Sequence, residues 1–535
     1  MKIIAVIAAC EGSSTLPNKN IRIVNGKPLI YYVINNALKS HYIDDIIVTT
    51  NSTEIVSIAR QMGVATKLRN EALCNENVPL DAVVYDVFKD NDINQYDYVI
   101  TMQSISPTLK VETLDKAIES CLKYNYDTLI SVIATQKFYW RRCKNDLYPL
   151  QENRVSRAKL SPLYAEVGAF FITKKQFVKN DSRMGKDVHL YELNEDEAVD
   201  VYCFGDLKQV ENILCKKSTA IYVNGDNSIG LGHVYRVMQL ADELFTKPDI
   251  YYDQNITDKA AFGTTQHNLI PVDGVGGLFD SLKHRHYDIF INDILSTELQ
   301  YMLRLRQILP NAKFVNFEDE GSGASVADIV FNALYETKSG ENMKVGAKYF
   351  IASKLFLLHE PIPIQKEVKN VFISFGGADP QNYTDRVLRI ISNDAYRQYY
   401  FYVVIGKAKK HVNDLLRYNA KENIKVLYNI DNMADIMSLC DIAITSRGRT
   451  GFELAFLGIP TISIAQNLRE MKHDFLNEKN GFMYLGINPE DSLIQQALDL
   501  YVQLPQNKRQ ELQNKMLATD LRNGRKNVVN TITSL

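Results

Sequence analysis

His233 stands in the run Ile229-Gly230-Leu231-Gly232-His233-Val234-Tyr235-Arg236, after a short apolar stretch and before an amphipathic helical pattern that runs toward Leu244. Gly230 and Gly232 let the backbone turn tightly into the helix and approach a ligand, which leaves His233 at the helix N-terminus. The positive end of a helix disfavours imidazolium, so this histidine is expected to stay neutral and able to accept a proton, the condition for a general base. A capping or core histidine is the plainer alternative. A second chemical signal follows the first apolar run of the chain: Gly12-Ser13-Ser14-Thr15-Leu16-Pro17-Asn18-Lys19-Asn20-Ile21-Arg22. A small-residue loop at the carboxyl end of a parallel strand can bring backbone N–H groups to a phosphate, and Lys19 can add charge. An ordinary turn would use the same residues.

Both loops need a parallel sheet to hold them. Short apolar runs of strand type, at 3–9, 46–50, 98–102 and 128–132, alternate with helical patterns, the mark of β-α-β units. A helical stretch at 207–214 leads into a new strand at 220–223, where the alternation restarts. Further strands are expected at 288–292, 313–316, 371–374, 400–405, 424–427, 442–445 and 461–464. The expected architecture is α/β: a Rossmann-like domain over 1–216, then two Rossmann-like halves over 217–365 and 366–535 that face a cleft.

Composition narrows the function classes. The 535 residues are 46% apolar, enough to bury more than one core, and 61 Lys plus Arg stand against 63 Asp plus Glu. No basic excess exists to neutralise a nucleic-acid backbone or an anionic lipid surface, so neither is expected as a partner. Seven cysteines, at 10, 74, 121, 143, 203, 215 and 440, show no C-x-x-C spacing and form an odd count. This argues against a zinc site and a disulfide framework, and for a reducing cytoplasm. Ile7-Ala8-Ala9-Cys10 looks like a lipidation box, but the apolar run before Glu11 is only eight residues long, which suits a buried first strand better than a leader. No stretch approaches the roughly 18 apolar residues of a membrane span.

The first loop belongs to a longer pattern. From Ile7 to Ile30 the chain matches, with gaps, the opening P-A-R-x-G-S-K-x-x-P-x-K-N-I and G-K-P-L-I of the acylneuraminate cytidylyltransferases, which make CMP-activated nonulosonic acids. The resemblance continues through Val48 to Ile55, Gln103 to Pro107, Arg157 with Tyr164 to Ile172, and Asp200 to Asp206. It implies CTP and a nonulosonic acid as substrates, nucleotide contacts from Gly12, Ser13, Lys19, Asn20, Arg22, Gln103 and Arg157, and Mg²⁺ on Asp200 and Asp206. It also implies a homodimer formed through the first domain. Departures fall on charged positions: Cys10 replaces the motif arginine, Ser14 the lysine, Asn51 an aspartate, Val167 an asparagine, and Tyr202 the second carboxylate of the metal pair. A working cytidylyltransferase and a domain that only binds or assembles both remain open.

The second loop resembles the I-G-x-G-H-x-x-R segment of UDP-sugar hydrolases that release 2,4-diacetamido-trideoxy sugars on the way to pseudaminic acid. Ile373 to Pro380 matches that family's I-S-F-G-G-x-D-P, Gly448, Thr450 and Glu453 align with G-G-S-T-x-x-E, and Asp293, Gly346 to Tyr349 and Gln466-Asn467 keep its order. The resemblance implies His233 as catalytic base and a UDP-sugar held by Gly230, Gly232, Arg236, Asp293, Gly376, Gly377, Thr450, Glu453 and Asn467. Gly376-Gly377 would face a diphosphate, Thr450 would offer a hydroxyl to phosphate, and Glu453 would accept from ribose hydroxyls. Here Arg447 and Arg449 depart from the pattern. The region from Glu453 to Pro460 is also similar to glycosyltransferases of the two-Rossmann type, which leaves transfer to an acceptor as the alternative to hydrolysis.

Overall fold

The computed structural model describes the chain outside residues 12–15, 75–76, 90–91, 152–153, 226–230, 245, 336–339 and 431. It divides into two compact units, Met1–Lys216 and Lys217–Leu535. No helix among the described residues is long and apolar enough to cross a membrane.

In the first unit the strand Ile3–Ala8 is apolar on both faces because both faces are covered. Ile3, Ala5 and Ile7 pack with Ile30 and Val33 of the helix Leu29–Lys39, whereas Ile4 and Val6 pack with Val84 and Val87 of the helix Leu80–Val87. The sheet runs Val188–Glu192, Thr128–Thr135, Leu163–Lys174, Tyr98–Gln103, Ile3–Ala8, Asp45–Thr50, Ala65–Leu68. Only Leu163–Lys174 is antiparallel to its neighbours. Strand order reverses around Ile3–Ala8, which pairs with both Asp45–Thr50 and Tyr98–Gln103, so the crevice beyond its carboxyl end is where such sheets bind ligands.

The second unit holds two parallel sheets. The first runs Asn268–Val272, Asp249–Asp253, Thr219–Val223, Ile289–Asp293, Lys313–Phe317, Ile329–Asn332, Met343–Val345. The second runs Ile424–Tyr428, Tyr400–Ile405, Asn370–Ser374, Ile442–Ser446, Thr461–Ala465, Phe482–Ile487. Their order reverses between Thr219–Val223 and Ile289–Asp293 and between Asn370–Ser374 and Ile442–Ser446. One apolar cluster joins the two halves: Phe350, Tyr335 and Phe356 pack with Phe372, Phe452 and Phe475, with Phe350 stacked 4.5 Å from Phe452.

The expected division at 365/366 assigns the chain terminus to the second sheet, and the structure corrects this. The helix Gly524–Thr533 buries Val528 and Ile532 with Ile221 and Val234 of the first half, and Arg525 bonds Glu243, Gln239 and the Ala352 carbonyl there. Arg509 is fully buried and donates to the carbonyls of Gln365 and Lys366, pinning the crossover between the sheets.

Candidate functional site

In the first unit, side chains converge beyond the carboxyl ends of Ile3–Ala8 and Tyr98–Gln103. Asn20 is buried, donates to the Cys10 carbonyl at 2.7 Å and accepts from Ser104 Oγ at 2.6 Å, so it ties the loops after those two strands together. Asn51, in place of the family's aspartate, accepts the Glu11 N–H at 2.8 Å and steadies the same loop. Gln103 and Ser106 press on Gly168, where a Cβ would lie 3.1 Å from Gln103 Nε2 and 3.0 Å from Ser106 Oγ. Asp200 joins them, accepting from Ser106 Oγ and from the Gly168 N–H at 2.9 Å. Burial pushes the Asp200 carboxyl up against the opposing pull of these bonds, of the Lys19 charge and of the Tyr202 hydroxyl. Lys19 Nζ sits 5.5 Å from the centre of the Tyr202 ring.

Several expected ligand contacts have other duties. Arg22 donates to the Pro17 carbonyl at 3.0 Å and covers the Phe204 ring. Arg157 stands exposed on the single turn Arg157–Lys159. Asp206 caps the helix Phe204–Leu214, accepting the N–H groups of Tyr202 at 2.7 Å and Cys203 at 2.8 Å. Burial opposes its ionisation, but those two donors outweigh it and hold the carboxyl below the usual range. Of the expected Mg²⁺ pair, Asp206 uses Oδ2 as the helix cap, Tyr202 stands where the motif has its second carboxylate, and no group of three or more metal-type ligands occurs among the described residues. Gly12 and Ser13 lie outside the described residues. Sequence reasoning missed Arg69, a buried guanidinium just past the strand Ala65–Leu68 that donates to the Thr49 carbonyl at 2.8 Å beside the Cys10 and Cys74 thiols. No signal in the sequence marked it, because that edge strand carries no apolar run.

In the second unit, His233 is 8% exposed in the first turn of the helix Gly232–Ala241. Its Nδ1 lies 2.6 Å from Asp293 Oδ1. A carboxylate only accepts, so Nδ1 carries the hydrogen and Nε2 is left as the proton acceptor. Asp293, the last residue of its strand and 0% exposed, also takes Arg236 Nε at 2.7 Å and Nη2 at 2.6 Å. Arg236 reaches on to Glu318 at 3.1 Å. Burial would push the Asp293 carboxyl up, but the charge and bonds of Arg236 and His233 outweigh it and hold it at about 2. Arg236 and Asp293, expected to touch a ligand, are thus buried behind His233 and orient it. Glu318, with its carboxyl pushed up by burial and a left-handed backbone at φ 52°, went unseen in the sequence. Gly230 lies outside the described residues.

The facing half presents Gly376, at φ 77°, and Gly377, beside which lies open space, at the end of Asn370–Ser374. Asp379 of the same motif is structural: it caps the helix Tyr383–Ile391 and pairs with buried Lys409 at 2.7 Å. Thr450 and Glu453 lie in the first turns of the helix Arg449–Leu457, and burial pushes the Glu453 carboxyl up to about 7 against the charge of Arg449. Asn467 is exposed and accepts the Glu470 N–H at 2.9 Å, while its neighbour Gln466 is buried and donates to the Phe375 carbonyl at 2.6 Å. The two halves meet where Gly232 faces Arg449: a Cβ at 232 would lie 3.2 Å from Arg449 Cδ. A cavity of about 790 Å³ lies at the opposite, amino end of the second sheet, by Lys369, Arg397 and Leu504, away from these residues.

Comparison with known proteins gives a family match, cytidylyltransferase, over residues 4–225. The chain is 32% identical over 213 residues to a CMP-N,N'-diacetyllegionaminic acid synthase of Legionella pneumophila, covering 38% of this chain and 91% of that protein. It is 33% identical over 290 residues to an uncharacterized protein of Methanocaldococcus jannaschii, 48% of this chain and 58% of the other, so it spans little more than half of that relative's length. A spore coat polysaccharide biosynthesis protein, SpsG, of Bacillus subtilis is 24% identical over 261 residues, 46% of this chain and 76% of that protein, a stretch longer than the cytidylyltransferase match itself.

Proposed function

From the premise that this chain belongs to the cytidylyltransferase family through residues 4–225, we propose that it is a two-part enzyme of nonulosonic acid biosynthesis. The first unit takes CTP and a nonulosonic acid, with Lys19, Gln103 and Asp200 lining the crevice beyond Ile3–Ala8. It assembles as a homodimer through the hairpin of Trp140–Cys143 and Asp146–Pro149, which leaves Trp140 54% exposed beside Leu147, Tyr148 and Leu150. The expected result is a dimer by sedimentation that Trp140→Glu splits; a monomeric parent chain would remove this part.

The second unit hydrolyses a UDP-sugar. The observation that carries this is the His233–Asp293 pair, 2.6 Å apart at the strand-order reversal and next to Gly232, which Arg449 of the second half approaches. Asp293 fixes the imidazole with Nε2 as acceptor, the arrangement a general base needs. His233 Nε2 takes a proton from water as the water oxygen bonds to the anomeric carbon. The bond from that carbon to the diphosphate oxygen breaks, and its electron pair leaves with the nucleoside diphosphate. Glu453 and Gly376-Gly377 serve the ribose and phosphates. Incubating the full chain with UDP-linked 2,4-diacetamido sugars should release UDP and free sugar. Release of UDP only when an acceptor is added, with the sugar attached to it, would replace hydrolysis by transfer.

A further inference from the structure

We infer that Arg449, from the second half of Lys217–Leu535, is the cation that holds the diphosphate of the nucleotide sugar at His233. This rests on the nucleotide-sugar reading and deepens it, because it assigns a charged contact that neither glycine loop supplies. Arg449 is the first residue of the helix Arg449–Leu457, and its side chain crosses to the first residue of the helix Gly232–Ala241, 3.2 Å from where a Cβ of residue 232 would be. A Cβ at 232 would crowd the Arg449 stem, which would have to give by a few tenths of an ångström. The guanidinium is held there by the Ile351 carbonyl, which accepts from Nη2 at 3.0 Å, and by the Phe350 ring, 4.7 Å from its carbon. Those contacts fix its position without a direct carboxylate partner, although Glu453, Glu318 and Asp293 lie near enough to favour its charge.

The neighbouring carboxylates do not neutralise it. Asp293 is committed to His233 and both near nitrogens of Arg236, and Glu318 is committed to Arg236. Glu453 is held toward its neutral form. Among the described residues no carboxylate pairs with Arg449 within 4.0 Å. Burial and the like charge of Arg236 bring the Arg449 guanidinium down to about 10, the mark of a cation short of an anion. An anion with several oxygens, delivered beside His233, would satisfy the geometry, and a diphosphate leaving group also gains negative charge as its bond to the sugar breaks.

The test uses the full chain and titration calorimetry with UDP and with UMP as probes, and melting temperature as the control for folding. Arg449→Ala should weaken UDP binding about 10- to 100-fold and UMP binding far less, with Arg449→Lys between parent and Ala. A parent chain that binds UDP, with a folded Arg449→Ala variant that binds it equally well, would overturn the role of Arg449 and leave the nucleotide-sugar reading standing. A parent chain that binds neither probe would overturn both.

Discussion

Replacing His233 by alanine separates chemistry from folding, and both magnitudes follow from the contacts. The substitution removes one hydrogen bond, to Asp293 at 2.6 Å, yet leaves that carboxylate paired with Arg236 through two nitrogens. No buried charge is stranded, so the stability loss should be roughly 1.5 to 3 kcal/mol, the worth of a hydrogen bond to a charged group. For a unit of this size that lowers the melting temperature by about 2 to 5 °C. Removing a general base lowers the rate about 100- to 10,000-fold, which is roughly 3 to 5 kcal/mol on the barrier. The two effects therefore cannot be confused. The assay is UDP release from a UDP-linked 2,4-diacetamido sugar at saturating substrate, with melting temperature measured on the same preparation. A folded His233→Ala protein that hydrolyses at the parent rate would take His233 out of the mechanism and return it to a core or capping histidine.

Two further expectations follow from the same contacts. Asp293, held at about 2 when folded against 3.8 as a model carboxyl, contributes stability that is fully present above pH 4 and is lost as pH falls toward 2. Acid titration of the parent should show about 2 kcal/mol of that loss, absent in Asp293→Asn, which should itself lose roughly 3 kcal/mol at neutral pH because it leaves buried Arg236 with Glu318 as its one paired carboxylate; equal stability of the two proteins at pH 7 would refute the pairing. In the first unit, Tyr202→Asp should raise Mg²⁺-dependent pyrophosphate release from CTP and a nonulosonic acid by about 10-fold or more, by giving Asp200 a second carboxylate beside it. A parent chain already turning over at roughly 1 to 1000 per second would show that the missing carboxylate is not needed.

What the sequence determined by itself was local. Strands such as Ile3–Ala8, Tyr400–Ile405 and Ile442–Ser446 are continuous apolar runs because both sheet faces are covered, and that pattern needs no partner to be read. Gly376-Gly377, two and three residues past their strand, and Gly232-His233, at the start of their helix, were legible for the same reason: each belongs to a short local run. Short strands at the sheet edge, Ala65–Leu68, Val188–Glu192 and Met343–Val345, lie partly exposed and carry no such run, so they went unread. The antiparallel Leu163–Lys174 escaped because its first four residues are exposed and only the rest is core.

What only the tertiary structure decided was the pairing of charges across the chain. His233, Arg236, Asp293 and Glu318 come from three separate stretches of sequence, with 82 positions between Arg236 and the Glu318 carboxylate it bonds. Whether such a group meets a ligand or a buried carboxylate depends on which strand end lies beside it. The same holds for Asp206, whose part as a helix cap shows only once the helix is seen, and for Gly524–Thr533, whose apolar face is satisfied by whichever sheet is within reach. Burial of a charge is a property of the assembled surroundings, because its cost depends on solvent and partners that no local run of residues contains.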